Sequence, residues 1–200
     1  TFSNKLSFSI TSVGFSKKII YRNKAKLNDD IYVTGNLGDS FVGLNILQNK
    51  IKISKKNKDY FVKKYFEPVI QIKLTKELFK FANSSIDISD GLIDDLEKMI
   101  NKQKLSYKIW EEQIPISRNL NNYLKRSDLK KTNFISNGDD YQILFTASTD
   151  KSRIIKNISK KLGIKISKIG KITLNNKKSS FISKKGKYLL LKNSGYKHQF

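Results

Sequence analysis

Between Ser84 and Ile100 the chain switches its apolar period, and that switch limits the folds open to it. Ser84–Ile88 reads as a short buried strand. Leu92, Ile93, Leu96, Met99 and Ile100 then share an arc of roughly 120° on a helix. The two are joined by Asp87, Ser89, Asp90 and Gly91. A strand that turns so tightly into an amphipathic helix requires a sheet covered by helices.

The rest of the chain extends that pattern. Leu6–Val13 alternates as a strand with one buried face, and Asp30–Thr34 reads as a second strand closed by Gly35. Helices are expected over Ser40–Gln48, Asp59–Phe66, Thr75–Ala82, Arg118–Leu129 and Lys151–Leu162. Strands are expected at Lys108–Trp110, Tyr141–Ala147, Ile164–Ile172 and Tyr188–Leu191, while Phe134–Gly138 enters a loop and Asn175–Lys187 reads as solvated loop or hairpin turn. Strict β-α-β alternation is absent, so the fold class is α+β with a mixed sheet packed by helices.

Charge points in a different direction. Forty basic residues against seventeen acidic ones give +23, the footprint of a nucleic-acid-binding module. Only Arg22, Arg118, Arg126 and Arg153 are arginines, however, and arginine is the favoured bidentate reader of phosphates and base edges. Scattered lysine with abundant Asn and Ile is what AT-rich coding produces. No nucleic-acid partner is therefore expected, and a steep salt dependence of nucleic-acid affinity would argue otherwise. The positive field favours small anionic substrates.

Cysteine is absent, which removes disulfides, thiolate metal sites and thiol nucleophiles. The single histidine, His198, cannot build a catalytic triad or a transition-metal site without partners. No apolar run reaches membrane-spanning length, so a cytoplasmic protein without a membrane partner is expected.

Three segments could carry chemistry. Asp87, Ser89 and Asp90 offer hard oxygen donors for Mg²⁺, with amides near Asp90–Leu92 available to phosphate. The simpler reading is that Ser89 or Asp90 caps the helix, with Asp94 and Asp95 on its solvated flanks. Asn137–Gly138 makes a turn ahead of a strand, but the adjacent Asp139 and Asp140 repel each other unless a cation lies between them. Thr34–Ser40 is Gly-rich yet lacks the Lys-Ser/Thr ending of a P-loop, so a tight turn suffices.

In order, these pieces resemble the thiamine-monophosphate kinase family, related to aminoimidazole-ribotide and selenophosphate synthetases. The resemblance is carried by Asp30–Ser40 with Gly43-Leu44, Ile86–Leu92, Ile114–Ser117, Gly138–Phe145 and Gly195-Tyr196. It implies an aminoimidazole-ribotide-synthetase C-terminal-like fold, distantly ferredoxin-like, and an ATP- and Mg²⁺-dependent phosphoryl transfer to thiamine monophosphate. By motif position, Asp87 and Asp90 would hold Mg²⁺, Ser89 and Arg22 would contact ATP, and Asp139, Asp140 and Tyr196 would contact thiamine monophosphate.

The resemblance further implies that residues 1–26 are the last strand and connector of an N-terminal ATP-binding domain, with 27–200 forming the C-terminal domain. That missing domain would carry most metal-binding aspartates and a homodimer interface, leaving this chain without turnover by itself. Two departures stand out: Asn137–Gln142 replaces the family's Gly-Gly-Glu-Asp-Tyr-Glu, and Pro68–Gln71 replaces a Pro-x-Pro-Arg pattern. Other ATP-using members of the superfamily are the alternative reading.

Overall fold

The computed structural model describes residues 8–16, 18–127, 129–174 and 179–189. Among them six strands form one sheet: β1 (Asp30–Thr34), β2 (Ala82–Ile88), β3 (Leu105–Trp110), β4 (Gln142–Ala147), β5 (Ile166–Leu174) and β6 (Ser180–Ile182). Their order is β2-β4-β1-β5-β3-β6. All neighbours run antiparallel except β3 and β6, which makes the sheet mixed as expected.

Alternation along β1 explains the layering. Ile31 and Val33 enter a core with Ile88, Leu144 and Ile169, whereas Tyr32 points to the opposite face beside Phe81 and Phe145. The first face is covered by α4 (Leu92–Ile100), whose Leu92, Ile93, Leu96, Met99 and Ile100 are all buried. Each such side chain stabilises the fold by roughly 1.5–3 kcal/mol relative to exposure. The second face is covered by α3 (Ile72–Leu78) and α7 (Ser152–Leu162). A third cluster joins α1 (Asp39–Leu47), α2 (Lys55–Phe66), α5 (Arg118–Leu124) and α6 (Thr132–Ile135) around Val42, Phe61, Leu120 and Phe134.

Several expectations change. Residues 8–13 form no strand and pair with none of the six, and Phe8, Ile10, Val13 and Phe15 are exposed. Leu6 and Ser7 lie outside the described residues. Phe134 belongs to the short helix α6, α5 stops at Leu124, and α3 ends before Phe79. Ser180–Ile182 was expected to be loop or hairpin turn but pairs with β3, which buries Phe181. Tyr188 makes only an isolated bridge to Ile182, and residues 190–191 fall outside the described chain.

Candidate functional site

The turn after β2 is organised by Asp95. Its Oδ2 accepts hydrogen bonds from the amides of Ser89, Asp90 and Gly91 at 3.0, 2.9 and 3.1 Å. Asp95 is buried, and burial raises its pKa against the opposing pull of the Asp90 amide and Lys98. Two expectations are therefore corrected. Asp95 is no surface charge, and the amides of Asp90 and Gly91 are taken by it rather than offered to phosphate. Neither Ser89 nor Asp90 caps α4: the residue before the helix is Gly91, at φ 129°, and no side chain bonds there as a cap. Asp94 is half-buried and receives the Lys98 ammonium at 2.6 Å.

The second segment lies against the first. Asp139 donates its amide to the Ser89 carbonyl at 2.9 Å, and Tyr141 donates to that of Ile88 at 2.8 Å. These bonds extend the β2–β4 pairing past the strand ends. Contact is so close at Gly138 that a Cβ there would overlap the Ser89 carbonyl. Asp139 and Tyr141 both adopt positive φ, 66° and 49°.

Adjacent acids face different ways. Asp139 and Tyr141 line a cavity of about 620 Å³ together with Ser89, Asp90, Phe41 and Tyr65. Asp140 is buried, and its Oδ2 accepts the Gly38 amide at 2.8 Å, fixing the turn that starts α1. Burial pushes its pKa up to about 8 against the Gly38 hydrogen bond, and the nearby Asp39 charge adds to the rise. Asp140 instead borders a smaller cavity of about 150 Å³ with Asp39, Ser40 and Lys64. Asp39 is itself buried, accepting from Ser117 Oγ at 2.6 Å and Tyr60 OH at 2.8 Å.

Like charges converge on the larger cavity. Burial and then the Asp90 charge raise the Asp139 pKa. Tyr141 is raised by burial, then by Asp139, Asp87, Tyr65 and Asp90. The Asp90 and Asp139 charges act on one another here, and carboxylate oxygens are the kind of donor a hard cation such as Mg²⁺ takes. Asp87 itself is exposed at the end of β2.

Of the other expected site residues, Asp87 lines neither cavity. Arg22 is exposed, lines neither cavity, and makes no hydrogen bond or ion pair among the described residues. Tyr196 lies outside the described residues. The sequence reading missed Asp95, Lys98 and Tyr65 as parts of the site. Asp95 had a faint signal, sitting about 40° beyond the apolar arc of α4 where a side chain can fold inward.

No family model matches the chain. It is 35% identical over 201 residues to the thiamine-monophosphate kinase of Buchnera aphidicola subsp. Schizaphis graminum, covering 99% of this chain and 62% of that protein. The chain is a homologue of the thiamine-monophosphate kinases. The Escherichia coli K12 thiamine-monophosphate kinase is 32% identical over 182 residues, or 90% of this chain and 55% of its own length. The chain thus spans between about half and three fifths of the length of the relatives it matches.

Solved structures agree. The thiamine-monophosphate kinase of Stenotrophomonas maltophilia K279a superposes with TM-score 0.71 at 26% identity, over 85% of this chain and 54% of that one. A structure described as AaThiL complexed with AMPPCP and TMP gives 0.71 at 26% identity, over 90% and 54%. Escherichia coli HypE, a hydrogenase maturation protein, shares the fold at TM-score 0.65 and 14% identity, over 88% and 53%. The α+β expectation, with its superfamily, is borne out. Among the described residues no helix is long and apolar enough to cross a membrane.

Proposed function

We propose that the chain is the C-terminal part of a thiamine-monophosphate kinase that moves the γ-phosphoryl group of ATP onto the phosphate of thiamine monophosphate. One observation carries this reading: Ser89 and Asp90 meet Asp139 and Tyr141 on the wall of one cavity. In the reaction a phosphate oxygen of thiamine monophosphate forms the new P–O bond. The bond between the γ-phosphorus and the β-bridging oxygen breaks, and ADP leaves.

The residues divide by chemistry. Ser89 would contact the ATP phosphates, and Asp87 and Asp90 would hold Mg²⁺, which neutralises phosphate charge when bound. Arg22 would join the ATP phosphates only once they are present, since nothing among the described residues holds it. Asp139 and Tyr141, with Tyr65 and Phe41, give a carboxylate and aromatic faces that suit the cationic thiazolium and the pyrimidine of thiamine monophosphate. Tyr196 would add a further aromatic contact. Asp140, held by the Gly38 amide, would meet thiamine monophosphate from the 150 Å³ cavity that it borders.

Residues 1–26 are proposed to serve as the last strand and connector of an N-terminal ATP-binding domain, the strand forming only against that domain since residues 8–13 are unpaired here, with 27–200 as the C-terminal domain. Homodimerisation through that N-terminal domain and a cytoplasmic setting complete the proposal. This chain alone, given ATP, Mg²⁺ and thiamine monophosphate, is expected to show no turnover. Equilibrium dialysis tests the reading on the chain as it stands: thiamine monophosphate is retained in the presence of Mg²⁺ and AMPPCP, and thiamine or inorganic phosphate is retained less. Equal retention of all three would contradict the assignment.

A further inference from the structure

Lys98 lies on α4, one turn beyond Asp94 and Asp95. Its Nζ donates to Asp90, and lies 2.6 Å from Asp94 and 3.2 Å from Asp95. Ligand oxygens of these three carboxylates fall within 4.8 Å of one another, a spacing one cation can bridge. The ammonium therefore occupies the place a divalent ion would take among them. Only Asp90 of the three also lines the 620 Å³ cavity.

The three acids are not equivalent. Oδ2 of Asp95 is committed to the amides of Ser89, Asp90 and Gly91, so this carboxylate cannot swing away. Lys98 reaches its other oxygen and ties Asp90 back to the same anchor. Without a positive charge there, three carboxylates would repel across a partly buried space.

We propose that Lys98 is a positioning residue whose ammonium fills the cation seat among Asp90, Asp94 and Asp95. The cluster then takes no divalent ion by itself, and Asp90 faces the cavity for a metal that arrives carrying phosphate. The inference rests on reading Asp90 as a metal ligand. It extends that reading by making metal capture depend on the nucleotide.

The test uses Mg²⁺ alone, with no nucleotide or thiamine phosphate, on the metal-free chain and its Lys98→Met and Lys98→Arg variants. Calorimetric titration and thermal melting are read together. The wild type and Lys98→Arg should show little saturable Mg²⁺ binding and no rise in Tm. Lys98→Met should bind Mg²⁺ about tenfold or more tightly than the wild type. Its Tm, depressed in chelator, should recover in Mg²⁺ but not in sodium chloride of equal ionic strength.

Equal Mg²⁺ affinity in the wild type and Lys98→Met would overturn the proposal, as would a Lys98→Met Tm indifferent to Mg²⁺. Should Lys98→Met fail to fold, the Asp94→Asn/Lys98→Met pair removes one repulsion. A gain in Mg²⁺ affinity over the wild type is still expected there, and its absence counts against the proposal. Because no substrate enters the experiment, failure of the kinase reading shows separately, as loss of thiamine monophosphate retention in dialysis.

Discussion

Asp95 reaches back five residues to hold the amide of Asp90 at 2.9 Å, and the same oxygen takes the amides of Ser89 and Gly91. A buried side chain on α4 therefore sets the geometry of the residues proposed to meet ATP and metal. Asp95→Ala should destabilise the chain by about 3 kcal/mol, because three amides and Lys98 lose a charged acceptor. Asp95→Asn, which keeps one acceptor oxygen, should lose less. Urea unfolding measures both, and a wild-type midpoint for Asp95→Ala would remove Asp95 from this role.

Asp140 gives a pH signature. Its folded pKa is about 8, above the ordinary carboxylate value, through burial first. The folded chain therefore binds the proton more tightly than the unfolded chain. The stability this lends is present at low pH and declines as pH rises from about 4 towards about 8. Asp140→Asn keeps an acceptor for Gly38 and cannot ionise. The stability of the variant minus that of the wild type should then rise from pH 5 to pH 8. A pH-independent difference would mean that Asp140 does not titrate in that window.

Gly138 marks the contact between the two site segments. Gly138→Ala should cost about 2 kcal/mol or more, since the Ser89 carbonyl is backbone and cannot move aside cheaply. Thiamine monophosphate retention should fall in parallel as Asp139 shifts. An alanine variant with wild-type stability and retention would show that the two loops need not touch.

What the sequence made legible follows from which forces leave a periodic trace. β1, β2, β4 and α4 appear as runs of alternating or helically spaced apolar residues, because sheet and core burial set those periods directly. Ser180–Ile182 did not appear: three residues in a Lys-rich stretch are too short for a period, and only pairing with β3 makes them a strand. The motif segments were legible as chemistry, whereas the direction of each side chain was not. Asp139 and Asp140 look alike in sequence, yet one lines the cavity and the other turns to Gly38, in a turn whose positive φ at Asp139 and Tyr141 leaves no periodic trace. Asp95 reads as helix surface because hydrogen bonds back to a preceding loop leave no repeat.

The central claim is that Asp90 and Asp139 serve one ligand site. Its most direct test is calorimetric titration of thiamine monophosphate into the chain with Mg²⁺ and AMPPCP, repeated for Asp90→Asn and Asp139→Ala. Saturable binding that weakens about tenfold in Asp139→Ala, and that loses its dependence on Mg²⁺ and AMPPCP in Asp90→Asn, is the result expected. Unchanged affinity in both variants, in chains that remain folded, would contradict the account.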